Sequence, residues 1–173
     1  MLLALAGGCS DANSLADPTT ANVVDTVTIG ALVGTPITTP SGYSVVDDAV
    51  RVDQKDFEFA YNIQGADSQP VFLPRAALGL ASSNTADPGL QARPETFDAI
   101  TEARSNGYVT DSAVAVSQGE RFMLRSRVIC TTLGVPQYAK LEIIALDTRS
   151  VTFQVMVDRN CGYKGLKPGL PDN

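Results

Sequence analysis

From Ala21 onward apolar residues recur mostly at every second position. That is the period of a half-buried strand rather than of a helix. Residues 23–32, "VVDTVTIGAL", are rich in β-branched side chains and predict a first strand. Residues 34–42, "GTPITTPSG", carry two prolines and read as a loop, and residues 43–52, "YSVVDDAVRV", predict a second strand. In "FEFAYNI", residues 57–63, alternation puts Phe57, Phe59, Tyr61 and Ile63 on one face and Glu58, Ala60 and Asn62 on the other. A turn at 65–69 leads to a short strand at 70–74, and residues 82–94 read as a polar loop.

One stretch breaks the period. In "PETFDAITEARSNG", residues 94–107, Pro94 suits a first helical position and Glu95 the positive end of a helix dipole. Phe97, Ile100 and Ala103 or Arg104 keep helical spacing, and Asn106-Gly107 ends the predicted helix. Residues 108–116 then lead through "SQGE" into 121–130, a predicted hairpin. Residues 138–146 lead through "DTRS" into 151–157, a second one, with Val151, Phe153, Val155 and Val157 sharing a face. The tail "CGYKGLKPGLPDN" is turn chemistry and is expected to be irregular. The fold class is therefore mainly β: an antiparallel β-sandwich or partly open barrel with one short helix.

The first residues belong to something else. Leu2-Leu3-Ala4-Leu5-Ala6 is an apolar run without a basic n-region, followed by small residues, and reads as a truncated signal peptide over residues 1–8. Leu5-Ala6-Gly7-Gly8-Cys9 resembles the lipobox of bacterial lipoproteins. In that family the cysteine takes diacylglycerol and becomes the mature N-terminus. The resemblance implies lipidation at Cys9, membrane attachment through that lipid, and a place in the cell envelope facing the periplasm or the exterior. Residues 9–22, containing "SDANSLADPTT", then form a flexible tether to a single domain at 23–173. Three cysteines are awkward for an exported chain, but with Cys9 lipidated Cys130 and Cys161 remain to pair as a disulfide.

Composition mainly excludes. A net charge of −6 and a pI near 4.5 argue against a nucleic-acid partner, which needs cationic surface to displace counterions. The absence of histidine removes the commonest general base and transition-metal ligand. No GxSxG, GxGxxG or GxxxxGK stretch occurs, and no cofactor or catalytic residue is assigned. The charge is uneven, with a net of −9 over residues 1–119 and +3 over 120–173. Either the halves interleave and compensate, or opposite faces meet between subunits.

Two clusters carry the remaining chemistry. Arg121, Arg125 and Arg127 fall on one strand face with Met123 between them, a possible anion or partner contact. Asp47, Asp48, Asp53, Asp56 and Glu58 offer calcium-type oxygen ligands at a spacing that fits no loop, and read more simply as edge charges; no metal site is assigned. "QYAKLEIIALDTRSVTFQVMV", residues 137–157, following "GERFMLRSR", resembles the C-terminal sheet of HmuY-like haem-capturing lipoproteins. That resemblance implies a β architecture on a lipid tether. The family's histidine ligands have no counterpart here, leaving Met123 and Met156 as the only thioethers in the domain. The functional expectation is a non-catalytic binding or interaction module of the envelope, with a protein partner or self-association. A structural subunit of an extracellular or envelope assembly is the alternative, and a carboxylate-dependent hydrolase the lesser one.

Overall fold

The computed structural model describes residues 15–83 and 85–171; Cys9 and the first part of the tether lie outside them. Among the described residues ten strands build two antiparallel sheets. They are β1 (Val24–Gly30), β2 (Gly42–Ser44), β3 (Asp48–Val50), β4 (Phe59–Gln64), β5 (Gln69–Pro74), β6 (Gly89–Arg93), β7 (Val114–Ala115), β8 (Arg121–Cys130), β9 (Val135–Leu146) and β10 (Ser150–Asp158). The first sheet runs β1-β10-β9-β8-β6 and the second β3-β2-β4-β5-β7. The expected sandwich is present, and the barrel alternative is not, because the sheets stay separate.

Alternation fills the space between the sheets. Val27 and Ile29 of β1, Phe122 and Leu124 of β8, Leu141 and Ile143 of β9, and Val151, Phe153 and Val155 of β10 turn inward against Tyr43, Phe59, Tyr61 and Phe72. Phe72 is the hub, with ring centroids 4.4 Å from Phe59, 6.0 Å from Phe153 and 6.1 Å from Phe122. The β9–β10 hairpin stands as the sequence predicts, and the tail from 161 is irregular.

The segment 94–107 is not a helix. A single turn forms, with Ile100 N–H donating to Thr96 O at 3.2 Å, and then other partners take the backbone. Lys140 Nζ donates to Phe97 O (2.9 Å) and Ile100 O (3.0 Å), Ala103 N–H to Lys164 O, and Leu166 N–H to Thr101 O. The threefold-spaced Phe97, Ile100 and Ala103 are buried as expected, but on the outer face of the first sheet by an irregular segment. The one short helix among the described residues is a 3-10 turn at Arg75–Leu78.

Other differences have local causes. Residues 43–52 form a tight hairpin, β2–β3, rather than one strand. Phe57 precedes β4 and packs with Val50 and Ala60 on the outer side of the second sheet, away from Phe59 and Tyr61. The polar loop at 82–94 contains β6, whose polar residues suit an outer edge. Residues 108–116 supply only β7, which pairs with β5, so "SQGE" crosses between sheets instead of closing a hairpin.

Candidate functional site

Chain direction gives the sandwich two unlike ends. At one end β1 begins and β8 and β10 finish, and there the N-terminal segment is fastened down. Asn160 Oδ1 accepts from Thr19 N–H (2.9 Å) and Thr20 N–H (3.0 Å), while its Nδ2 donates to Thr20 O (2.8 Å). Asn22 exchanges backbone bonds with Gly169 and donates through Nδ2 to Gly165 O (2.8 Å) and Lys167 O (3.1 Å). Tyr163 OH donates to Ala16 O at 3.0 Å. Asp158 accepts from Asn160 N–H and Nδ2; burial raises its pKa against those bonds.

The Cys130–Cys161 disulfide closes this end, with Cα atoms 5.6 Å apart. The two strands it follows are neither sheet neighbours nor partners across the sandwich, since β9 lies between β8 and β10. The tail reaches Cys130 by crossing the start of β9. Two grooves of about 840 Å3 flank the fastened segment. Leu15 and Tyr163 line both, with Lys167 and Glu102 in one and Cys130 and Leu133 in the other.

The three arginines do not share a face. Arg125 pairs with Tyr138 and Val128 with Pro136, so three steps on β8 oppose two on β9. This bulge reverses the alternation beyond it. Arg121 stays on the outer face against Glu142 (3.2 Å), and Arg125 donates to Asp87 O (2.9 Å) with its guanidinium 5.1 Å from the Tyr108 ring centre. Arg127 instead reaches the second sheet and donates to the fully buried Glu58 at 2.5 Å. Burial raises the Glu58 pKa, with Arg127 and the Val45 N–H pulling the other way. No joint anion grip results.

Each member of the acidic stretch has a cation: Asp47 has Lys55, Asp48 Arg159, Asp53 Arg51, Asp56 Arg75 and Glu58 Arg127. Among the described residues no three acidic or cysteine side chains converge as metal ligands. Arg127 and Arg159 join the basic second half to the acidic first half within one chain. That favours interleaved charge over opposite faces. Met123 and Met156 lie on the outer face in one cross-strand row, with Lys140 between them in register. Lys140 is 1% exposed, its ammonium 4.5 Å from the Phe97 ring centre, and burial lowers its pKa.

The opposite end is made of loops: 31–41 and the turns at 65–68, 117–120 and 147–149. Val33 and Ile37 are 73% and 76% exposed there. Arg149 Nη1 donates to Gly34 O, and Thr35 Oγ1 to Ala31 O (2.6 Å), giving the loop a fixed root. Its flanks are grooves of about 470 Å3 beside Arg149 and about 310 Å3 beside Arg51. The sequence reads 34–42 as a loop and extends the first strand to 32, whereas β1 ends at Gly30. Two β-branched apolar residues, Val33 and Ile37, among threonines and prolines are the signal for this end. Nothing in the sequence pattern marks Asn22, Asp158, Asn160 and Lys140, since isolated polar residues carry no periodic signal. Compared with protein-family models, curated proteins and solved structures, the chain matches none significantly.

Proposed function

We propose that this is an exported, lipid-anchored envelope protein that engages a protein partner, without catalysis, through the loop end of its sandwich. The observation carrying the reading is the fastening of residues 15–22 by Asn22, Asn160 and Tyr163 at the disulfide end. Cys9 lies six residues before Leu15, a span of at most about 20 Å. A lipid there would hold one end of the domain. The exposed Val33 and Ile37 sit beyond the other end of β1, whose seven residues span roughly 23 Å. A disulfide closing a 31-residue separation supports an oxidising compartment.

Expression from the native gene in its genomic context in a bacterial host tests the anchor. The protein should partition into the detergent phase and Cys9→Ser into the aqueous phase; equal partition removes the lipid from the reading. A photoreactive residue at position 37 should cross-link to a protein in intact cells, and one at position 144 should not. No cross-link at 37, or equal cross-linking at both, removes the loop end.

A further inference from the structure

Asn106 and Gly107 lie in the irregular segment over the outer face, and both are exposed. Gly107 has φ +84°, and its N–H donates to no acceptor among the described residues. Its nitrogen is therefore a free nucleophile one residue beyond a side-chain amide, with no Cβ of its own to shield it. The other described asparagines differ. Asn22, Asn62 and Asn160 are buried, and their amides are hydrogen-bonded.

We propose that Asn106 is a site of self-modification. The Gly107 nitrogen attacks Cγ of Asn106, forming an N–Cγ bond and closing a five-membered succinimide. The Cγ–Nδ2 bond breaks, and ammonia leaves with the proton lost from the Gly107 nitrogen. Water then opens the ring at either carbonyl. One opening gives aspartate, and the other gives isoaspartate, whose main chain runs through the side chain. No enzyme, oxidant or cofactor enters the balance.

The consequence is local and specific. Gln91 Nε2 of β6 donates to Asn106 O (3.4 Å) and Gly107 O (3.1 Å). Next along, Val109 exchanges backbone bonds with Leu90, and Tyr108 stacks on Arg125. Isoaspartate adds a methylene to the main chain between these anchors, so the clamp and the Val109 pairing cannot both keep their geometry.

The test is incubation of the folded full-length protein at pH 8.5 and 37 °C, with peptide mass mapping and isoaspartate detection. Conversion should concentrate at Asn106, with Asn22, Asn62 and Asn160 unchanged, and Asn106→Gln should abolish it. The aged protein should exchange amide protons faster at Leu90 and Val109, whereas fresh Asn106→Asp should not, because it adds the charge without lengthening the chain. If Asn106 converts in urea but not in the folded protein, the fold protects the site and the proposal falls. It also falls if conversion leaves Leu90 and Val109 unaffected.

Discussion

The two faces of the first sheet are covered by different means. The inner face meets a second sheet, ring on ring, around Phe72. The outer face is covered by irregular chain, residues 94–110 and the tail, over a small cluster of Ile100, Ala103, Met123, Tyr138 and Leu166. The inner core holds through shape and area. The outer one relies on directed bonds: two carbonyls on Lys140, two backbone bonds between the lid and the tail, and one disulfide behind them. The difference shows how a strand pattern can specify half a protein and leave the rest to single polar residues.

Phe72→Ala would break the comparison at its strong side. Truncating a buried phenylalanine costs about 3 to 5 kcal/mol, and both faces should unfold together in urea, read by exchange at Leu141 and at Ala103. If Ala103 kept its protection, the outer cluster would be an independent unit.

Next in size is loss of the disulfide. Cys130→Ala with Cys161→Ala should destabilise the protein by roughly 3 to 4 kcal/mol in the chain-entropy model. Limited proteolysis should first cut the tail and residues 94–107. Cuts starting in β9 or β10 would mean that the bond supports the inner core instead.

Lys140→Met sharpens the comparison. It keeps most of the side chain's apolar length but strips two carbonyls of their donor, at a cost of about 1 kcal/mol. Amides of residues 97–103 should exchange faster, with the inner strands unchanged. A stabilised variant would show that area, not directed bonding, holds the lid.

The smallest effect is a slope. Burial raises the Glu58 pKa, so the folded state keeps its proton to a higher pH than the unfolded chain does. Stability from this group is greatest at low pH and falls as pH rises from the unfolded glutamate value through the raised one. Asp158 acts in the same sense, and Asp56, held down first by its bond from Arg75, in the opposite one. Glu58→Gln should flatten that decline, as urea midpoints measured across pH 4.5 to 7.5 would show; an unchanged slope would remove Glu58 as its source.

Legibility followed the same division. The inner core was readable because Val151, Phe153 and Val155 alternate and a sheet needs only that. The cysteine pair follows from setting Cys9 aside on the lipobox resemblance, and Cys130 and Cys161 are bonded. The failures at 94–107 and at Arg127 share one cause: hydrogen bonds and packing from distant parts of the chain overrode a local pattern. Lys140 and the tail took the carbonyls and amides that a helix at 94–107 would have used, and the bulge after Arg125 turned the Arg127 side chain toward the second sheet. Of the candidate site, the loop reading at 34–42 covers Ile37 but not Val33, and periodicity marks neither as an exposed apolar tip.

The fastening of β1 also has a mechanical side. Residues 15–22 lead directly into β1, and β1 is antiparallel to β10 over seven register pairs. Tension on the N-terminal segment, directed away from the loop end, would therefore load that ladder in shear, with its bonds sharing the force. A peeling pull would break them one at a time. The asparagine clamps meet the load first, and behind them the Cys130–Cys161 bond ties the tail that holds Asn22 back to β8. A domain strung this way behaves less like a bead on a thread than like a cleat at the end of a rope.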